Sequence, residues 1–106
     1  MTDQTPQDIL NAAADLIERT GWTQGCSARD ENDKKCGEED PKAVCYCVYG
    51  AIAKSSQTLK YSKSLKLPFD ILRDSAGITG GIISWNDHPD RTKEEVIAAL
   101  RGVSND

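Results

Sequence analysis

The chain has 106 residues, 38% hydrophobic and 28% charged, with a formal net charge of -4. A chain of this size can bury one core, so residues 1–106 read as a single domain, and a mean hydropathy of -0.56 leaves part of it as solvated loop. The acidic balance argues against attraction to nucleic acid or anionic lipid. No apolar run approaches the roughly 18 residues of a membrane span, and the first residues lack the basic-then-apolar pattern of a secretion signal. A cytoplasmic protein with neither nucleic acid nor membrane as partner is expected.

Residues 1–4 are expected to be disordered. Thr5-Pro6-Gln7-Asp8 then opens a helix: threonine can cap it, proline suits the first helical position, and Asp8 meets the positive end of the helix. Ile9, Leu10, Ala13, Leu16 and Ile17 recur at helical spacing, so a helix over 6–20 should bury that face and leave Asp15, Glu18 and Arg19 outside. Gly21 ends it, and Trp22 should fold back over the apolar face as a plug.

From 27 to 40 charges crowd without periodicity and Gly37 interrupts them, which predicts a long irregular acidic loop. Asp40-Pro41 repeats the cap-then-proline signal. Ala43, Val44, Cys47, Val48, Ala51 and Ile52 then supply an apolar helical stripe, the expected central helix. Gly50-Ala51 within it implies a close crossing by another helix.

Residues 55–64 are polar and lysine-rich, with Leu59 and Tyr61 as the sizeable apolar exceptions, and read as a loop with a fraying turn. Lys54, Lys60, Lys63 and Lys66 form a local basic patch there, read as a solvated face. A short third helix is expected around Leu67–Arg73, with Leu67, Ile71 and Leu72 inward. The glycines of I-T-G-G-I-I-S-W weaken a helix, so this stretch reads as a buried connection, extended or a single turn. Thr92-Lys93-Glu94-Glu95 is a capping box, which starts a last helix at about Lys93 and ends it near Gly102, with Val96, Ile97, Leu100 and Val103 inward. Residues 104–106 are expected to be disordered. The fold class is therefore all-α, a bundle of about four helices with a long acidic loop between the first two.

Four cysteines, Cys26, Cys36, Cys45 and Cys47, are spaced C-x9-C-x8-C-x-C, which fits none of the usual zinc templates. On one helix Cys45 and Cys47 would point about 200° apart and could not bridge. Reduced structural thiols are the reading, with neither metal nor cofactor; a loop disulfide between Cys26 and Cys36 is the alternative.

Three stretches, A-A-D-L-I-E-R-T-G-W-T-Q-G, C-V-Y-G-A-I and W-N-D-H-P-D-R-T-K-E-E-V, together resemble a family of small proteins of unknown function from bacteria, notably actinobacteria, and phages. In that family a first helix ends in a G-W-x-x-G corner, a second carries C-x-x-G-A, and W-N-D precedes a T-x-E-E-V helix. The resemblance places Gly21, Trp22, Gly25, Cys47, Gly50, Ala51, Trp85, Asn86, Asp87, Thr92 and Glu95 at recurrent positions. Tyr46 stands where the family usually has tryptophan, and Cys26, Cys36 and Cys45 are departures, which speaks against a shared metal or redox role. The resemblance implies no reaction.

Trp85-Asn86-Asp87-His88 invites comparison with an active site. Adjacent Asp87 and His88 would need an unusual turn to pair, and no second histidine, G-x-S-x-G or phosphate-cradling loop accompanies them. Cys47 with His88 is a conceivable thiol pair, but a cysteine in an apolar stripe is ordinarily inert core. The favoured reading is a clasp in which Asn86 and Asp87 tie their loop to the backbone of the 21–25 corner. No catalytic residue is assigned.

The expected function is that of a small accessory protein binding a protein partner, phage or mobile-element encoded, for instance through its acidic loop. The alternative is a small-molecule module whose ligand-binding residues would be Trp22, Gln24, Trp85, Asn86, Asp87 and His88. A hydrolase or thiol enzyme ranks last.

Overall fold

The computed structural model describes residues 6–56 and 66–102, with the backbone alone for Lys66 and Leu67. The expected cap at Thr5, the expected loop with Leu59, Tyr61, Lys60 and Lys63, the expected inward side chains of Leu67 and Val103, the Lys66 side chain and the expected disorder of both ends lie outside the described residues. The elements are α1 (Pro6–Thr20), β1 (Ala28–Asp30), β2 (Lys35–Cys36), β3 (Ala43–Tyr46), α2 (Val48–Ser55), α3 (Lys66–Ala76), α4 (Ile82–Asn86) and α5 (Lys93–Gly102).

The all-α expectation is overturned: five helices among the described residues are joined by a three-stranded antiparallel sheet in the order β2-β1-β3. The stretch read as an irregular loop over 27–40 is mostly a β-hairpin. Its turn is built from Asp30, whose carboxylate accepts the N–H groups of Asn32 at 2.9 Å and Lys34 at 3.0 Å, while Asp33 takes a φ of 64°. Aspartate and asparagine suit such turns because a short polar side chain can bond nearby backbone and tolerates positive φ. The Lys34 N–H, followed by that of Asn32, holds the Asp30 carboxyl below its ordinary range.

Asp40-Pro41 also departs from expectation. It makes a turn in which the Asp40 carboxylate accepts the Lys42 N–H at 2.9 Å, and a strand follows instead of a helix. The run A-V-C-Y satisfies helix and strand patterns alike because it is short, and its β-branched and aromatic residues favour the pleated form when a partner strand is at hand. The partner is β1, with Arg29 opposite Cys45 and Ala28 opposite Tyr46, and an irregularity at Arg29/Asp30. Cys45 thus lies on a strand, and Cys47 is the N-cap of α2, its sulfur accepting the Gly50 N–H at 3.3 Å.

One apolar core joins the elements. α1 contributes Ile9, Leu10, Ala13, Ala14, Leu16 and Ile17, α2 contributes Val48, Ala51 and Ile52, and Leu72, Ile82, Val96 and Leu100 close it. Fully burying each such large side chain contributes about 1.5–3 kcal/mol. Ala28 and Tyr46 carry the inner face of the sheet into the same cluster. Asp15, Glu18 and Arg19 are exposed as the spacing requires, and Arg101 at the end of α5 donates to both Asp15 and Glu18 at 2.7 Å.

Gly50 does sit at a close approach, but its neighbour is not a helix. A Cβ at this position would collide with the Ser27 carbonyl, the same oxygen that accepts the Cys47 N–H at 3.0 Å. Backbone entering β1 therefore lies directly on the start of α2. α3 is longer than expected, with Leu72 buried, Ile71 half-buried and Gly77 past its end at a φ of 70°. The I-T-G-G-I-I-S-W stretch ends in the short helix α4, which buries Ile82 and turns Ile83 outward. No helix among the described residues is long and apolar enough to cross a membrane.

Candidate functional site

The residues singled out near Trp22 and Trp85 come together at one junction. Gly21, with a φ of 145°, reverses the chain after α1 and lays Trp22 beside β3: Tyr46 N–H donates to the Gly21 carbonyl and Thr23 N–H to the Tyr46 carbonyl, each at 3.1 Å. The Trp22 ring packs half-buried against the core. From the other side, α4 brings Asn86 to the same point, fully buried.

Asn86 is the centre. Its amide oxygen accepts the Trp22 indole N–H at 2.7 Å and the Val48 N–H at 2.9 Å, and its amide nitrogen donates to the Thr23 carbonyl at 3.1 Å and the Asp87 carboxylate at 3.0 Å. A carboxamide offers two acceptor positions and two donors, and all four are engaged. The orientation is fixed, because a flipped amide would set N–H groups against two other donors. In one residue the corner after α1, the first turn of α2 and the end of α4 are joined.

Around it the same segments are tied again. Gln24 donates both amide hydrogens, to the Asn86 carbonyl at 2.9 Å and the His88 carbonyl at 2.8 Å. The Asp87 carboxylate accepts the Gly25 N–H at 3.0 Å. The expected tie between Asn86, Asp87 and the 21–25 corner is present. Gly25 permits it with a φ of 84°.

His88 is exposed, and its Nδ1 accepts the Asp90 N–H at 3.0 Å in a local turn. Cys47 stands apart at the buried N-cap, where burial pushes its thiol up and keeps it protonated, the reverse of what a nucleophile needs. All four cysteines are free thiols. Among the described residues no group of three His, Cys, Asp or Glu side chains could hold a metal ion.

Trp85 is half-buried under Arg91, whose guanidinium lies 4.2 Å from the ring centroid and donates through Nε to the Trp85 carbonyl at 2.9 Å. The capping box forms as expected: Thr92 N–H to Glu95 Oε1 at 3.0 Å and Glu95 N–H to Thr92 Oγ1 at 3.2 Å. Sequence reasoning missed Arg91. It also missed Arg29, which spans the corner and the hairpin by donating to Thr23 Oγ1 at 2.7 Å, the Gln24 carbonyl at 3.2 Å and the Asp33 carbonyl at 3.1 Å. A single cation in a charged stretch carries no local signal of such a role.

A further feature missed is an open groove of about 260 Å³ lined by Tyr49, Phe69, Arg73, Ile82, Ile83 and Ser84. Tyr49 and Phe69 stack at 5.4 Å between centroids with planes 10° apart, and Ile83 is 54% exposed at its rim. Arg73 is paired with Asp70 at 2.7 Å. The adjacent Ile82-Ile83 pair was the available signal, since a helix that buries one residue turns its neighbour about 100° away.

No curated protein and no solved structure matches the chain. One family model does match, and it covers residues 1–106: the chain belongs to the family of unknown function DUF6197.

Proposed function

We propose that this is a small accessory protein that acts by binding a protein partner, and that the groove between α2, α3 and α4 is where the partner docks. One observation carries the reading. Ile83 stands 54% exposed beside the stacked Tyr49 and Phe69 rings, an apolar concavity open to solvent. At about 260 Å³ it lies below the roughly 300–1,000 Å³ of small-molecule pockets and suits one or two apolar side chains of a partner. A bacterial or phage origin is what the resemblance of the G-W-x-x-G, C-x-x-G-A and W-N-D motifs implies, and a cytoplasmic role is part of the same proposal. The acidic hairpin is a weaker docking candidate, because Asp30 and Asp40 hold its own turns.

The test is a photo-crosslinking residue placed at Ile83, with exposed Glu94 on α5 as the control position. The reading expects one dominant crosslinked protein from Ile83 that disappears when Ser84→Arg fills the groove without touching the core. Equal labelling from both positions would defeat it. The small-molecule module expected at Trp22, Gln24, Trp85, Asn86, Asp87 and His88 is the second reading, favoured by the half-exposed Trp85 and Arg91 pair; because Asn86 and Gln24 spend their amide groups within the protein, the ligand would meet Trp85, Arg91 and exposed His88. A polar planar ligand that raises the melting midpoint of the wild type but not of Arg91→Ala would favour it.

A further inference from the structure

We propose that Cys26 and Cys36 are a redox pair, closing a reversible disulfide that staples the bend before β1 to the outer strand β2. The geometry begins with the sheet. Asp30 N–H donates to the Lys34 carbonyl at 2.9 Å, toward β2, whereas the Ser27 carbonyl accepts the Cys47 N–H on the opposite side. Backbone groups alternate along a strand, so Ala28, two residues before Asp30, also turns its N–H and C=O toward β2. Its partner there is Cys36. In such a hydrogen-bonded pair the Cα atoms lie about 5.5 Å apart, so Cys36 stands directly beside Ala28.

Cys26 reaches the same place from within the strand's own lead-in. Residues 24–27 are bent, and the Cys26 sulfur lies 3.2 Å from the Ala28 carbonyl oxygen, the group that faces the backbone of Cys36. Cys36 shares a sheet face with Ala28, since cross-strand partners project to one side. Both cysteines are half-buried, accessible to a small oxidant yet held in place. Cys45, opposite Arg29, projects to the other face, and Cys47 is buried in the α2 cap.

With oxidised glutathione as the oxidant the chemistry balances. One cysteine thiolate attacks a glutathione sulfur, forming a mixed disulfide and releasing one glutathione thiolate. The second cysteine thiolate then attacks the protein sulfur of that mixed disulfide, forming the Cys26–Cys36 bond and releasing the second glutathione. Two protein thiols are oxidised, one glutathione disulfide is reduced, and the two thiol protons pass to the two glutathiones. Burial, followed by Asp40 and Asp30, pushes the Cys36 thiol up, so exchange quickens as pH rises above neutral. The bond would close the loop of residues 26–36 next to Gly25, whose N–H holds Asp87. The oxidised hairpin and the clasp would then be fixed to one another.

The test equilibrates the full chain in glutathione buffers of graded poise, quenches with acid, alkylates the remaining thiols and maps the disulfides by mass spectrometry. A single intramolecular Cys26–Cys36 bond is expected in the wild type and in Cys45→Ser, and none in Cys26→Ser or Cys36→Ser. Oxidised wild type should melt about 5–10 °C above the reduced protein. A Cys26–Cys45 bond, persistent mixed disulfides, or four free thiols at the most oxidising poise would each overturn the assignment, and the wild-type map alone decides it if a variant fails to fold.

Discussion

The Trp22 indole N–H and the Asn86 amide oxygen meet at 2.7 Å across a separation of 64 residues, inside a site where Asn86 has no exposed surface. The oxygen is shared with the Val48 N–H, so the two sides of this contact differ in consequence. Removing the indole donor leaves the oxygen one good partner. Removing the amide leaves buried donors and an acceptor with none. Trp22→Phe is therefore expected to lower unfolding free energy by about 1 kcal/mol, and Asn86→Ala by about 3 kcal/mol or more. Urea denaturation of the two variants measures both, and equal small losses would show that the amide is not the centre of the junction.

Asp87 and Gln24 act at the wetter edge of the same junction, where water can replace a lost partner. Asp87→Ala should cost about 1 kcal/mol, and Asp87→Asn less, because its amide oxygen can still accept the Gly25 N–H. Gln24→Ala should cost about the same as Asp87→Ala. Melting curves at one pH rank the three, and a destabilisation of Asp87→Asn equal to that of Asp87→Ala would argue against the Gly25 contact.

Gly50→Ala is expected to be as damaging as Asn86→Ala. Backbone, unlike the end of a long side chain, cannot move aside, and the new methyl meets the Ser27 carbonyl while α2 is held from the other side by the core. A loss of about 3 kcal/mol or more is expected, although alanine is the better helix former by about 1 kcal/mol. Chemical denaturation of Gly50→Ala against Gly102→Ala, where a Cβ meets open space, separates packing from propensity.

Cys47 gives the fold a dependence on alkaline pH. Its thiol is raised by burial, so the folded state keeps the proton where the unfolded chain loses it. The associated stability is whole below the ordinary thiol range of about 8.5 and is lost as pH rises through the folded value. Cys47→Ser retains a capping oxygen but does not ionise. Its denaturation midpoint should therefore fall less than that of the wild type between neutral pH and about pH 10, and parallel curves would refute this.

The last helix supplies an internal standard, because its start depends on a local device. Thr92→Ala removes the hydroxyl that accepts the Glu95 N–H and should cost about 1 kcal/mol with no change at the Trp22 and Asn86 junction. Indole fluorescence compared with far-ultraviolet circular dichroism during unfolding checks that separation.

The sequence by itself determined what depends on neighbours along the chain. Proline at the first position of α1 and the Thr92–Glu95 box set two helices at their observed ends, and the apolar spacing of 9–17 selected the face of α1 that is buried. It also located the clasp, since W-N-D and the G-W-x-x-G corner are each short runs of special chemistry. What the tertiary structure decided was everything in which a segment's partner is remote. Ala43–Tyr46 is a strand because β1 offers unpaired backbone beside it, and no local pattern distinguishes that from the first turn of a helix. The carbonyl above Gly50 comes from Ser27, the stacked partner of Tyr49 is Phe69, and Arg29 finds three acceptors on two separate turns. Hydrogen-bonding and packing groups are satisfied by whatever folding brings within a few ångströms, and for this chain those neighbours are chosen by the closing of one shared core.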